Sequence, residues 1–284
     1  MKKYIVVFMI LSLLLYACEQ TEENIVDVQN SDIVIETIET FDNNGRGIKV
    51  DKSKAVIYDG VIMPEIPKAP PNSYDIAKTL SYQDKWFRTE AVYYPRFTDE
   101  IKYEGSEKIK QYYAELAEEQ EGYINNISIS DEVYDDYFNY HLYTYVTYDV
   151  IFFEKYLSVL YFSVGYYGGI HSFDQYWADN FDMTTGEILK LEDLFGYEYM
   201  YREILQELIC KNLLIQYDED IFFENPYEVP NIMQNIYDSR FRITEKGIDF
   251  IFPTYAIAPY DAGNIFVTVP YEELSEILLM EIGE

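Results

Sequence analysis

The sequence predicts an α+β fold, with antiparallel sheet and packed helices arranged in two closely associated subdomains. Three observations favour this class. Several segments alternate aromatic or β-branched residues with polar ones, which is the pattern of half-buried strands. Short turn sequences separate neighbouring strands, as in β-hairpins. Stretches with helical spacing break up these clusters of strands, which is typical of helices packed on an antiparallel sheet.

The first half of the folded region is predicted to contain four strands and one helix. Residues 106–122 are expected to be helical, because Ser106 can cap the first turn and apolar residues follow at helical spacing until Gly122. Glu154-Lys155 suits the turn of a hairpin between two strands. The predicted strands are 85–97, 137–150, 156–166 and 172–181.

The second half begins with a tight turn at Thr184-Thr185-Gly186 and then mixes helices with short strands. A final helix is expected from Pro270 to Met280, because proline is favoured at the first helical position. The other predicted helices are 191–195, 199–216 and 230–239, and the predicted strands are 240–244, 248–252 and 265–269.

Composition changes along the chain predict four parts. Residues 1–17 are expected to be a signal peptide, and 18–73 an acidic and then proline-rich tether with at most one weak strand near 56–58. Four prolines between 64 and 71 suit an extended spacer. The predicted subdomains are 74–175 and 176–284, each α+β.

The N-terminal residues are typical of a bacterial lipoprotein signal. Two lysines precede fourteen uncharged residues, Tyr4 to Ala17, which are too few to span a bilayer comfortably. The segment Leu15-Tyr16-Ala17-Cys18 resembles the lipobox, which implies that Cys18 is acylated and becomes the mature N-terminus. We therefore expect a lipid-anchored protein on the extracytoplasmic side of the cell envelope.

The chain is strongly acidic, with 51 acidic and 21 basic residues and a net charge of −30. Removal of the signal peptide would take away Lys2 and Lys3, leaving 19 basic residues and a net charge of −32. Such a surface repels nucleic acid, so no nucleic-acid partner is expected. It favours encounter with a basic protein, although solubility alone also accounts for acidity.

No motif in the sequence predicts a catalytic residue, a cofactor or a metal site. The chain has two histidines, which excludes a histidine-rich zinc centre, and it has no Walker loop or Gly-x-Ser-x-Gly elbow. Acidic runs at 174–182 and 218–220 lack the spacing of an EF-hand loop. Cys210 lies in an apolar run and is expected to be a small buried residue.

Three blocks of sequence resemble the extracellular domain family shared by the anti-sigma factor RsiV and the deacetylase PdaC. The blocks are 167–171 (YGGIH), 180–195 (NFDMTTGEILKLEDLF) and 255–274 (YAIAPYDAGNIFVTVPYEEL). The resemblance covers roughly residues 75 to 282. It implies a domain that faces the envelope and, as in RsiV, binds lysozyme.

Aromatic residues around the Gly168-Gly169 bend are the candidate binding residues, because tyrosine and tryptophan are favoured at interfaces. They are Tyr166, Tyr167, Tyr176 and Trp177, together with His171 after the two glycines. The alternative is that these aromatics belong to the core. The favoured function is a binding or sensing module that captures a basic protein such as a lysozyme-like muramidase. A glycan-processing hydrolase and a structural cell-wall-binding lipoprotein are the alternatives.

Overall fold

The computed structural model of the protein describes residues 38–42, 46–50, 56–58, 61–63, 68–82, 85–97, 103–127, 142–167, 172–195, 200–229, 232–236 and 239–280. The predicted signal peptide and Cys18 lie outside these residues. Two antiparallel pairs of short strands come first, within the predicted tether. They are β1 (Ile38–Asp42) with β2 (Arg46–Val50), and β3 (Val56–Tyr58) with β4 (Val61–Met63).

A six-stranded sheet forms the larger part of the described fold. Its strands are β5 (Ser73–Tyr82), β6 (Lys85–Pro95), β7 (Leu142–Phe153), β8 (Tyr156–Tyr166), β9 (Phe173–Asp182) and β10 (Glu187–Ile188). They lie in the order β10-β9-β8-β7-β6-β5. Neighbouring strands are antiparallel except β6 and β7, which are parallel. The single parallel pair departs from the expected antiparallel pattern.

Helix α1 (Ser106–Asn125) packs on one face of this sheet. Ile109, Tyr113 and Ala117 recur every four residues on its buried side, which fits the helical period. Ser106 is buried and bonds the backbone of Tyr103, while Gly105 is the N-cap residue and makes no side-chain cap bond. The predicted cap by Ser106 is therefore wrong.

The start of α1 lies against the turn that follows β9. Gly105 N donates to Met183 O at 2.9 Å. A Cβ built on Gly105 would lie 2.0 Å from the backbone nitrogen of Gly186, which has a φ of 71°. The predicted turn at 184–186 is thus confirmed, and both glycines are needed because two backbones touch there.

A second sheet has three antiparallel strands, and three helices in the described part of the chain share its hydrophobic core. The strands are β11 (Phe241–Ile243), β12 (Gly247–Phe252) and β13 (Ile265–Pro270), in that order. The helices are α2 (Leu191–Phe195), α3 (Met200–Gln216) and α4 (Tyr271–Leu274). Leu205, Ile209 and Leu213 of α3 are fully buried and belong to the same core as Phe250 and Val267 of the sheet. Cys210 is also buried, as expected.

Asn180 of β9 joins the two sheets. Its amide nitrogen donates to Phe241 O at 2.9 Å, and its amide oxygen accepts from Ser158 Oγ at 2.6 Å and from Ile243 N at 3.3 Å. All of these bonds are buried, so they fix β11 against β8 and β9 of the larger sheet. Apolar packing of Leu160, Tyr176, Ala178 and Ile251 continues the junction.

Most predicted elements occur close to their predicted bounds, but two predicted helices are much shorter. Of the described residues in 230–239, Ile232–Asn235 form a 3-10 turn and the others are not helical. Of 270–280, only α4 is helical, and beyond it Leu279 N donates to Leu194 O. The predicted boundary between residues 175 and 176 falls inside β9, and β5 begins where the tether was expected to end.

Candidate functional site

Four of the five predicted binding residues are described by the structure. Two of them lie at one end of the larger sheet, and the other two lie on its opposite faces. Tyr166 ends β8 and Tyr167 follows it. Tyr176 and Trp177 are neighbours on β9 and therefore point to opposite faces. His171 lies outside the described residues.

Tyr176 and Trp177 both pack against core rings. Tyr176 is 7% exposed, and its ring centroid lies 4.8 Å from that of Phe162 and 4.9 Å from that of Phe266. Trp177 is half-buried and stacks on Tyr161 with ring centroids 5.2 Å apart. A direct contact of either residue with a ligand stays a prediction.

A row of cross-strand partners links five strands near Tyr167. Lys78 of β5 pairs with Glu90 of β6, and Glu90 pairs with Thr144 of β7. Thr144 pairs with Gly165 of β8, which pairs with Phe173 of β9. Because cross-strand partners share a face, all five positions lie on the face that α1 covers. We call this set the sheet-end row.

A charged network lies in the middle of the sheet-end row. Arg88 Nε and Glu90 Oε1 are 2.5 Å apart, and Glu90 is only 2% exposed. Burial raises the pKa of the Glu90 carboxyl, although the Arg88 guanidinium opposes the shift. Thr144 Oγ1 donates to Glu90 Oε1 at 3.2 Å and lies 2.6 Å from the Tyr167 hydroxyl. Since one hydroxyl donates once, the Tyr167 hydroxyl donates to Thr144.

This network fixes an aromatic stack at the surface. The Tyr167 ring stacks on Phe173 with centroids 5.2 Å apart, and the Arg88 guanidinium lies 5.9 Å from the Tyr167 ring centroid. Gly165 lies beneath the stack, and a Cβ there would be 2.7 Å from Phe173 Cζ. Phe173 remains 38% exposed. The stack is thus held from below and open to solvent, as suits a contact surface.

On the opposite face, a polar cluster surrounds Asp174. Thr254 Oγ1 donates to Asp174 Oδ1 at 3.3 Å and accepts from Asn264 Nδ2 at 3.3 Å. Burial raises the pKa of the Asp174 carboxyl. Asn264 is 8% exposed, and its amide oxygen has no hydrogen-bond partner among the described residues. The cluster therefore contains one buried acceptor that remains open for a donor.

Tyr255 lies close to this cluster in an unusual backbone conformation. Its φ is 68°, which is rare for a residue other than glycine, and its side chain is 62% exposed. Its ring lies 5.7 Å from that of Tyr260, whose hydroxyl donates to Ser172 O at 2.9 Å. Positive φ at an exposed aromatic residue is a strained arrangement of the kind found at functional sites.

Four carboxyl groups among the described residues have a raised pKa. Asp179 has the clearest shift: burial raises its pKa to about 6, against the effect of nearby tyrosine hydroxyls, of which Tyr113 lies 3.2 Å away. The raised pKa values of Glu90, Asp149 and Asp174 also have burial as their leading cause. Burial therefore accounts for the direction of the pKa shift in all four groups.

Neither a metal centre nor a reactive thiol is found in the described part of the chain. No three histidine, cysteine or acidic side chains there are grouped so as to hold a metal ion. Burial raises the pKa of the Cys210 thiol to about 11, so it stays protonated at neutral pH. Within the same residues, no helix has the length and apolar character needed to cross a bilayer.

Sequence reasoning missed the polar residues of both clusters. Arg88 and Glu90 gave a usable signal, because two charges at i and i+2 of an apolar strand must share one face. Asp174, Thr254 and Asn264 are far apart in sequence and lie in ordinary polar contexts. Their meeting depends on how β9 packs beside the segment between β12 and β13.

Two solved structures are similar to this chain. A DUF3298-family member from Bacteroides fragilis has 19% sequence identity and a TM-score of 0.47, covering 73% of this chain and 92% of that one. A DUF3298-family protein from Pseudomonas aeruginosa has 16% identity and a TM-score of 0.47, covering 75% and 95%. No curated protein matches the chain. Residues 192–272, from α2 to α4, match the family described as "Protein of unknown function (DUF3298)", and this part of the chain is similar to that family.

Proposed function

We propose that the protein is a lipid-anchored binding or sensing module of the cell envelope that captures a basic extracellular protein. The charge balance is the observation that carries the proposal: 51 acidic residues stand against 21 basic ones. A field of this sign speeds the encounter with a basic partner and repels acidic surfaces.

The arrangement of ion pairs supports this reading. Arg88, Lys108, Lys211 and Arg242 are each paired with a carboxylate of the chain. By contrast, the exposed acidic residues at 218–224 include Asp218, Asp220 and Glu224, which have no cationic partner among the described residues. Exposed cations such as Arg202 and Lys246 also lack an ion-pair partner there, but acidic residues predominate among the unpaired charges.

The aromatic residues at the end of the larger sheet supply an apolar contact area for the same partner. Phe173 is exposed beside the half-buried Tyr167 on the face that α1 covers. Tyr255 is exposed and Tyr166 half-buried on the side of the opposite face. Aromatic rings bury a large area with few torsions to restrict, which makes them effective anchors within a charged surface. The resemblance of three sequence blocks to the RsiV-type extracellular domain supports a lysozyme-like muramidase as the specific partner.

Binding to lysozyme tests the proposal directly. The mature chain, from residue 18 onward, is titrated with lysozyme at low and at physiological ionic strength. We expect a complex that weakens as salt increases, because the Debye length falls to about 8 Å at physiological ionic strength and attraction between charges then acts over a shorter distance. Cytochrome c, a basic protein without muramidase activity, is the matched control.

The outcomes separate three cases. Binding of lysozyme alone supports a specific muramidase partner, and equal binding of both proteins supports capture of basic proteins in general. Absence of a complex with either protein at low salt would overturn the proposal. Digestion of purified peptidoglycan by the chain would instead favour the hydrolase alternative.

The lipid anchor is tested separately. Cells that express the protein are fed a fatty acid carrying an alkyne group, and the label on the protein is measured. We expect labelling of the wild type and none of Cys18→Ser, because the thiol is the expected acylation site. Equal labelling of both proteins, or label on neither, would contradict the anchor.

A further inference from the structure

A groove lies between α1 and the edge strand β5. It has a volume of about 590 Å³ and is open to solvent along its length. Tyr74 and Ile76 of β5 line it from one side, and Ala114 and Ala117 of α1 from the other. The two alanines leave the space, because larger side chains on this side of α1 would fill it.

The charged residues of the groove are predominantly acidic. Glu118 and Glu121 of α1 line it, both are exposed, and neither has an ion-pair partner among the described residues. Lys78 also lines the groove, but its ammonium donates to the carbonyl oxygens of Ile124, at 3.2 Å, and Asn125, at 3.5 Å. The lysine therefore balances the carboxyl end of α1, where a cation is favoured, and leaves the two carboxylates uncompensated.

The strand beside the groove has a free edge. β5 pairs with β6 on one side and with no other described strand on its other side. Its pairing is regular from Ser73 to Leu80, before a register shift between Leu80 and Ser81. An edge of this length presents unpaired N–H and C=O groups that an added strand can bond.

The geometry points to a binding site for an extended polypeptide segment that carries lysine or arginine at alternate positions. The segment would add to the free edge of β5, and every second side chain would then point to the α1 side of the sheet. Cationic side chains on that side would meet Glu118 and Glu121 of α1. This inference rests on the proposed capture of a basic protein, and it names the part of the partner that the domain would recognise.

A synthetic peptide of alternating lysine and threonine, blocked at both ends, tests the site. Its binding to the mature chain is measured by fluorescence anisotropy at low ionic strength, with a peptide of alternating glutamate and threonine as the control. We expect the lysine peptide to bind and the glutamate peptide not to bind. Two further lysine peptides, N-methylated at one or the other alternate set of amides, distinguish strand addition from simple charge attraction. Only one of the two should lose binding, because an added strand uses only every second amide.

Protein variants locate the peptide. Glu118→Gln combined with Glu121→Gln should weaken binding about three- to tenfold, as expected for the loss of two exposed ion pairs. Ala114→Leu should weaken it without a change of charge, because the larger side chain narrows the groove. Asp220→Asn combined with Glu224→Gln removes the same charge from outside the groove and should change binding less than twofold by the same reasoning.

The results separate this inference from the proposed function. If lysozyme binds but neither the groove variants nor the N-methylated peptides change peptide binding, the groove assignment is wrong and the capture function stands. Equal weakening by the two double variants would also overturn it, since charge alone would then explain binding. If the peptide binds as expected and lysozyme does not, the groove assignment stands and the proposed partner is wrong.

Discussion

Gly165 and Phe173 are cross-strand partners, and the Phe173 ring occupies the space that a side chain at residue 165 would need. A Cβ on Gly165 would lie 2.7 Å from Phe173 Cζ and 3.1 Å from Tyr167 Cε2. The aromatic stack at the end of the sheet therefore depends on a residue that carries no side chain.

Gly165→Ala should displace the Phe173 ring and break its stacking on Tyr167. We expect a loss of about 1 kcal/mol in the free energy of unfolding. This is the low end of the cost of overpacking, because Phe173 is partly exposed and its ring can move. Near-ultraviolet circular dichroism reports the ring displacement, and urea unfolding reports the stability. In a Phe173→Ala background the same change should cost much less. An equal cost in both backgrounds would show that the ring is not the obstacle.

Gly122→Ala should have the opposite effect. Gly122 lies within α1, is exposed, and has no atom within 4 Å of an added Cβ. Replacing a helical glycine by alanine gains about 0.5–1 kcal/mol, because alanine loses less backbone entropy. Urea unfolding should show a higher midpoint, and a lower one would mean that this turn of α1 needs glycine in the folded protein.

The stability of the protein should depend on the protonation of Asp179. Its pKa in the folded protein is raised to about 6 from an ordinary value of 3.8. The folded state thus favours the protonated carboxyl, so the contribution of Asp179 to stability is most favourable below pH 4 and is lost as the pH rises through 6. The loss amounts to about 2 to 3 kcal/mol at most.

Asp179→Asn isolates this contribution, because the amide stays neutral and can still accept from Tyr113. The variant should gain stability relative to wild type as the pH rises from 4 to 7. The measurement is the difference between the two unfolding free energies in urea across that range. A constant difference would mean that Asp179 titrates normally in the folded protein.

Arg88→Met should be strongly destabilising, because it leaves the buried Glu90 carboxylate without its cation. Breaking a buried ion pair on one side costs about 3–5 kcal/mol. Arg88→Met combined with Glu90→Gln should recover most of that loss, since no charge then remains buried. A double variant as unstable as Arg88→Met would show that Arg88 acts by packing on Tyr167, rather than by charge.

Asn180→Leu should loosen the junction between the two sheets. It removes the bonds to Phe241 O and Ser158 Oγ and leaves those groups buried, while Ile243 N keeps its bond to Ser158 Oγ at 3.0 Å. We expect a loss of about 2–4 kcal/mol, because each unsatisfied buried group costs about 1–3 kcal/mol. Ser158→Ala, which removes one hydroxyl from the same network, should cost less. A similar cost for both variants would mean that the network is not centred on Asn180.

The sequence predicted the elements of the fold better than their connections. β8 and α2 have their predicted bounds, because alternation and helical spacing are local properties of the chain. The parallel pairing of β6 with β7 was missed, since it depends on where α1 places the chain after it leaves β6. The long final helix was wrong: the helix ends at Leu274, and Leu279 then bonds Leu194 in a tertiary contact for which the sequence has no local signal.

The candidate site was predictable only in part. The glycine pair at 168–169 in the sequence pointed to Tyr166 and Tyr167, which do lie at the end of the sheet. Alternation alone could not tell which side of β9 was covered, so Tyr176 and Trp177 were selected with them although both pack in the core regions. The groove along β5 was not predicted, because no strand was predicted for residues 73–82. The predicted boundary between the tether and the first subdomain fell at the start of this stretch.

The parallel pairing of β6 with β7 has a consequence for the order in which the chain folds. The β5–β6 hairpin and the β7–β8–β9 meander join neighbours in sequence, so each can form within microseconds. The register of Arg88 with Leu142 instead closes a loop of more than fifty residues that contains α1. Because closing a long loop costs entropy before its contacts form, we expect this step to limit the folding rate. Until it occurs, β6 and β7 both expose open edges, and newly synthesised chains would be most prone to aggregate in that interval.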